Sequence, residues 1–153
     1  MRGRRLVLLG LVLVLLTAVV FSAAGCSLSE AKDKAALLAA LTEFNLKSAP
    51  LAMTVVGTDS DATVTSDGTP LATAIRDGVA DVADEWQSVI AKAKKVDGAD
   101  AAAAEKAWSD LEAAVAGVPE DATAGEAGAI IGGPLDDLMT VRSQLSAVAT
   151  GSE

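Results

Sequence analysis

The chain has 153 residues, a formal net charge of −9, one cysteine, and neither histidine nor tyrosine. That length allows one domain besides a targeting segment, and the acidic balance repels nucleic acid and anionic lipid headgroups. The lack of histidine excludes Ser-His-Asp and Cys-His catalysis, and a lone cysteine excludes an internal disulfide. The same absences argue against zinc, copper and haem sites, so we expect no cofactor and no enzyme.

The first 26 residues have the order of a secretory signal peptide. Three arginines, at positions 2, 4 and 5, precede an apolar run over residues 6–21, which is followed by small residues and Cys26. A basic segment, an apolar segment and a small-residue cleavage region are the three parts of such a leader. The arginines stay on the cytoplasmic side of the membrane, so the sequence predicts that the rest of the chain is exported.

The tetrapeptide Ala23-Ala24-Gly25-Cys26 resembles the lipobox of bacterial lipoproteins. The family prefers Leu where Ala23 stands, and the resemblance covers residues 1–26 only. It implies that a diacylglyceryl group is joined to the Cys26 thiol and that the leader is cut between Gly25 and Cys26. Two acyl chains anchor a protein stably, whereas one anchors it marginally. The resemblance therefore implies a lipoprotein tethered to the extracytoplasmic face of the cell membrane.

Two other interpretations of the leader stay open. In the first, the leader is an ordinary signal peptide and Cys26 follows it by chance. In the second, residues 6–24 are retained as a transmembrane anchor, since an apolar run of this length can cross a bilayer. Under the lipobox interpretation, residues 1–25 are removed, residues 26–30 form an acylated tether, and residues 31–150 form the folded domain. So short a tether predicts that the domain lies close to the bilayer.

The first helix is predicted over Ser29–Lys47, with a capping box formed by Ser27 and Glu30. Pro50 is expected to break or kink it, because the proline ring opposes helix continuation. The apolar residues expected on one face of this helix are Leu37, Leu38, Leu41 and Phe44.

Residues 54–69 are rich in Thr, Ser, Asp and Gly, which predicts a long exposed loop with a short β-hairpin around Gly57–Asp61. The spacing of its carboxylates excludes an EF-hand, because Val64 and Leu71 occupy positions that require Gly and Glu. A solvated loop and a looser cation site remain open, and the weak candidate ligands for such a site are Asp59, Asp61 and Asp67.

The second helix has the most regular pattern in the chain. Thr69 is predicted as its N-cap, Pro70 as its first residue and Asp97-Gly98 as its end. Apolar residues then recur at every third or fourth position, which predicts a continuous seam packed against other helices. The seam consists of Leu71, Ile75, Val79, Val82, Trp86, Val89 and Ala93.

Two further helical regions follow. A third helix is predicted to begin at Asp100 and to end before Gly117, with Ala104, Trp108, Leu111 and Val115 on its apolar stripe. The last region opens with a capping box at Thr123 and Glu126. At Gly132-Gly133-Pro134 the alternatives are one kinked helix or two helical pieces. We favour two pieces, the main one over residues 134–149, because these residues are costly inside a helix. Together the patterns predict an all-α bundle of four helices with one long loop.

Three hypotheses for function follow. The first is a non-catalytic structural or interaction role in the cell envelope, with an unidentified envelope protein as partner. The second is a module that binds a small apolar or lipidic ligand between its helices, since the aromatics on the apolar stripes fit either a core or a pocket. The third is a carboxylate hydrolase using Asp136 and Asp137. The aromatics concerned are Phe44, Trp86 and Trp108.

A further acidic cluster lies on the second helix. Asp77, Asp81 and Asp84 are spaced by four and three residues, which places them on one helix face away from the apolar seam, and Glu85 adjoins them. A solvated face and a site for a cation or a basic partner are both compatible with this spacing.

Overall fold

A computed structural model describes residues 28–56 and 59–152. These residues form an all-α bundle, as predicted, with helices α1 (Leu28–Val56), α2 (Leu71–Ala93), α3 (Ala101–Ala116) and α4 (Ala124–Thr150). The chain divides into two compact units, Met1–Ala31 and Lys32–Glu153, and the packing described below belongs to the second. The predicted leader, with its cleavage site at Gly25 and Cys26 and the proposed cap at Ser27, lies outside the described residues.

The core of the second unit lies where the apolar faces of the four helices meet. All seven residues of the predicted α2 seam are buried, and Trp86 and Val89 are fully shielded from solvent. The predicted stripe of α3 is buried as well. On α1 the face is narrower than predicted, because Leu37, Leu41 and Phe44 are buried whereas Leu38 is 39% exposed. Leu38 follows Leu37 directly, and adjacent helical residues point in different directions.

Helix α3 begins one residue after its predicted start because Asp100 is its N-cap, and α4 has the predicted capping box. The Asp100 side chain accepts a hydrogen bond from the backbone N–H of Ala103 at 2.9 Å. At α4, the Thr123 hydroxyl accepts from the Glu126 N–H at 3.2 Å, and Oε2 of Glu126 accepts from the Thr123 N–H at 2.9 Å. The backbone N–H of Thr123 is the main cause that lowers the pKa of the Glu126 carboxyl.

Helix α4 is continuous, so the predicted division at Gly132-Gly133-Pro134 is wrong. A proline inside a helix removes one backbone hydrogen bond and crowds the preceding turn. Here Ile131 and Leu138, on either side of the segment, are both 2% exposed in the same core. Their burial favours one continuous helix over two helical pieces. Packing therefore outweighs the low helix propensity of Gly132, Gly133 and Pro134.

Pro50 likewise lies inside α1, which extends to Val56, nine residues beyond the predicted end at Lys47. Because α1 includes residues 54–56, the loop begins later than the predicted start at residue 54. Helix α2, in contrast, ends at Ala93 rather than at Asp97-Gly98. The chain then turns through Gly98, which has a φ of +79°, a conformation that favours glycine.

The loop before α2 contains a hairpin-like turn, but at a later position than predicted. An isolated antiparallel bridge pairs Val64 with Pro70, and the Thr65 N–H donates to the Thr69 carbonyl at 2.9 Å. The described part of the predicted Gly57–Asp61 hairpin is instead a turn in which the Ala62 N–H bonds the Asp59 carbonyl. Thr69 is not the N-cap of α2, because the helix begins at Leu71 and the cap position is occupied by Pro70, whose side chain makes no capping hydrogen bond.

Candidate ligand cavity

An apolar cavity of about 270 Å³ lies between the helices of the second unit. All four helices contribute to its wall, and most of the lining side chains are aliphatic or aromatic. Pockets for small molecules range from roughly 300 to 1,000 Å³, so this cavity lies slightly below that range and would hold only a small ligand. Side chains that line its interior include Phe44, Val79, Trp108, Leu111, Ile131 and Leu138.

The three aromatic residues form a layer beside this cavity. The ring centroids of Phe44 and Trp86 lie 4.8 Å apart, and those of Trp86 and Trp108 lie 6.2 Å apart in a stacked arrangement. The indole N–H of Trp86 donates to the Ala104 carbonyl at 3.1 Å, which satisfies its one polar group. Phe44 and Trp108 line the cavity, whereas Trp86 lies behind them. The layer thus serves both as core and as cavity wall.

One edge of the cavity is polar. Asn45 and Ser48 of α1 and Arg142 of α4 belong to its lining, and Asn45 is exposed to solvent whereas Arg142 is partly buried. The Arg142 guanidinium donates a hydrogen bond to Oδ1 of Asn45 at 2.5 Å. We call this pair the cavity edge. Met139, which is 42% exposed, also lines the cavity, so the edge faces solvent.

The sequence patterns did not single out the cavity edge, although a signal was present. Arg142 follows Leu138 by four residues and precedes Leu145 by three, and both leucines are buried. A charged residue at this spacing lies beside the apolar stripe of the helix rather than opposite to it. The pattern does not identify Asn45 as the partner of Arg142, because Asn45 lies on α1, 97 residues earlier in the chain.

An ion pair between Lys47 of α1 and Glu85 of α2 joins these two helices. The hydrogen bond from Lys47 lowers the pKa of Glu85, and the same bond raises the pKa of Lys47. The pair therefore stabilises the fold at neutral pH. Its contribution is lost as the pH falls through the lowered pKa of Glu85 or rises through the raised pKa of Lys47.

The weak cation candidates Asp59, Asp61 and Asp67 are all exposed. Oδ1 of Asp67 accepts hydrogen bonds from the Thr65 hydroxyl and from the Thr69 N–H, the latter at 3.2 Å. These bonds lower the pKa of Asp67, with the Thr65 hydroxyl as the largest cause, and they make it a turn residue. Across residues 28–56 and 59–152, no group of three acidic residues is arranged to hold a metal ion.

The remaining carboxylates identified from the sequence lie apart from the cavity. Asp77, Asp81 and Asp84 are exposed on α2, and so are Asp136 and Asp137 on α4. None of the five belongs to the cavity lining. The proposed hydrolase pair, Asp136 and Asp137, therefore lies outside the lining of this cavity.

Within the part of the chain that the structure describes, no helix combines the length and the apolar character needed to cross a membrane. Comparison with known proteins gives no match to a family model, to a curated protein or to a solved structure.

Proposed function

We propose that this chain is an exported bacterial lipoprotein whose helical domain binds a small apolar ligand in the cavity between its helices. The observation that carries the proposal is the cavity itself, which all four helices line with apolar side chains. Burying the apolar surface of a ligand against these walls is favourable by roughly 25 cal/mol for each Å² removed from water. A ligand that fills the space and excludes water would gain this free energy.

The export and anchoring part of the proposal is supported by the leader sequence and its lipobox at Cys26. The proposal that the domain binds a ligand is supported by the apolar side chains that line the cavity and by the positions of Trp86 and Trp108. Trp108 lines the cavity and is 3% exposed, and Trp86 stacks on it and is fully buried. A molecule that reaches Trp108 must therefore enter the cavity rather than touch the surface.

Acylation at Cys26 is tested by intact mass. The chain is expressed in a bacterial host, extracted from the membrane and compared with the Cys26→Ser variant. We expect the mass of the wild-type chain to equal that of the polypeptide beginning at Cys26 plus a diacylglyceryl group, and the variant to lack that group. Masses that differ only by the substitution would remove the anchor from the proposal.

Ligand entry is tested by tryptophan quenching with a neutral apolar probe. The full chain in nanodiscs is titrated with a brominated decanol, whose bromine atoms quench a tryptophan only at close range. We expect saturable quenching in the wild type. We expect at least a tenfold loss of affinity in Val79→Phe, because the larger ring fills space that the ligand needs.

Val64→Phe is the matched control, because Val64 is 47% exposed and does not line the cavity. Ala49→Phe is a second filling variant at an exposed position of the lining, where strain in the core is smaller. Circular dichroism verifies that each variant is folded. Absence of saturable quenching in the wild type would exclude a binding role for the cavity.

A further inference from the structure

The cavity edge carries an arginine that pairs with an amide. Arg142 lines the cavity and donates to Oδ1 of Asn45. A guanidinium has five N–H donors and keeps its charge at every physiological pH. An amide oxygen can position the guanidinium, but it does not neutralise the charge. The positive charge at the cavity edge is therefore held in place and uncompensated by its protein neighbour.

The two arginines of the described residues differ in their partners. Among these residues, ion pairs join Lys47, Arg76, Lys94 and Lys106 to carboxylates, and Arg142 is in none of them. Lys32, Lys92 and Lys95 are in none of these pairs either, but they do not line the cavity. Arg76 shows the usual arrangement, since its guanidinium bonds Glu120 and the Val118 carbonyl.

Asn45 has donors left for a ligand. Its Oδ1 accepts from Arg142, and its amide nitrogen carries two N–H donors. An anion beside this pair would meet the guanidinium and the amide N–H groups together. Guanidinium donors match the two oxygens of a carboxylate in a bidentate pair.

We propose that the ligand is a single-chain carboxylate amphiphile, with its apolar chain in the cavity and its carboxylate on Arg142 and Asn45. This inference rests on the proposed binding function and assigns the ligand class to the same site. The cavity volume of about 270 Å³, slightly below the usual range for small-molecule pockets, favours one chain over two. One guanidinium balances the single charge of a carboxylate, whereas a phosphate monoester brings up to two charges to an acidic protein.

The test compares three probes with the same brominated chain, namely a decanoate, a decanol and a decyl phosphate. Each is titrated against the full chain in nanodiscs of zwitterionic lipid at about pH 8, where carboxylic acids are ionised. Tryptophan quenching reports entry, and empty nanodiscs correct for partition into lipid. We expect the wild type to bind the decanoate about tenfold more tightly than the decanol, equivalent to about 1.4 kcal/mol. We expect the decyl phosphate to bind more weakly than the decanoate.

Three variants assign this preference to the cavity edge. Arg142→Gln should abolish the preference, so that the decanoate and the decanol bind to the variant with similar affinity. Asn45→Asp preserves the size of the side chain and leaves Arg142 in place. The new carboxylate would pair with the Arg142 guanidinium in place of the ligand's carboxylate, so this variant should also lose the preference for the decanoate. Lys95→Gln removes the same charge at an exposed residue outside the cavity and should leave the preference intact.

Each outcome bears on one of the two proposals. Equal binding of the decanoate and the decanol by the wild type, or a preference that survives in both Arg142→Gln and Asn45→Asp, overturns the carboxylate assignment and leaves the proposed function standing. Tighter binding of the decyl phosphate than of the decanoate overturns it too. Failure of all three probes to quench removes the proposed binding function and the assignment with it.

Discussion

Replacing Trp86 with alanine is expected to lower the free energy of unfolding by about 3–5 kcal/mol, the usual cost of removing a buried tryptophan. Trp86 is fully buried, and its ring lies between Phe44 and Trp108. The substitution opens a void in the middle of the aromatic layer and leaves the Ala104 carbonyl without its indole donor. Domains of this size have only about 5–15 kcal/mol in total, so the loss is large.

Urea unfolding followed by circular dichroism measures this effect, because the signal does not depend on tryptophan. Trp86→Phe is the matched control: it keeps a ring between the neighbours and loses the indole N–H, so its cost should be smaller. A thermal midpoint should fall by roughly 10 °C or more in Trp86→Ala. If the two variants were equally stable, and close to the wild type, the aromatic layer would not be a main support of the core.

The double substitution Gly132→Ala and Gly133→Ala is expected to stabilise the protein by about 1 kcal/mol. Alanine is favoured over glycine inside a helix by roughly 0.8–1.0 kcal/mol for each residue. A Cβ atom at either position would meet no tertiary neighbour within 4 Å, and neither glycine has a positive φ. Gly133 directly precedes Pro134, whose ring crowds the Cβ of the preceding residue in a helix, so the gain comes mainly from Gly132→Ala. The gain is measured by urea unfolding.

Gly98→Ala is the control, and it is expected to change the free energy of unfolding in the opposite direction. Gly98 has a φ of +79°, where a side chain is strained, so the same chemical change should destabilise the protein by about 1 kcal/mol. If α4 were two pieces joined by a turn at Gly132-Gly133, the double variant would lose stability like Gly98→Ala. A loss of that kind would contradict the single helix and restore the arrangement that the local sequence predicts.

The start and end of α3 and the start of α4 were predictable because they depend on residues close together in the chain. Asp100 caps α3, and Thr123 with Glu126 caps α4, through bonds that span three residues. Gly68 has a φ of +86° in the turn before α2, and the loop itself was evident from composition. The exact position of its turn was not, because the Val64–Pro70 bridge competes with other pairings of similar local quality.

Three features could not be derived in this way: the continuity of α1 through Pro50, the continuity of α4 through Pro134, and the cavity. A proline disfavours a helix locally, and in α4 the burial of Ile131 and Leu138 on either side of Pro134 outweighs that preference. The cavity is the space left where the faces of four helices do not fill the volume between them. Its size depends on how the helices cross, which periodicity does not specify.

The amino-acid sequence by itself determined that the domain is all-α, that α2 has one continuous buried seam, and that the chain lacks the histidine and paired thiols of common catalytic and metal sites. These properties follow from spacing, capping and composition, which are local. Only the tertiary structure decided that Phe44 and Trp108 face an open cavity and that Arg142 meets Asn45 instead of a carboxylate. The physical reason is that space and charge pairing depend on which helices become neighbours, and residues 45 and 142 become neighbours only when the bundle is complete.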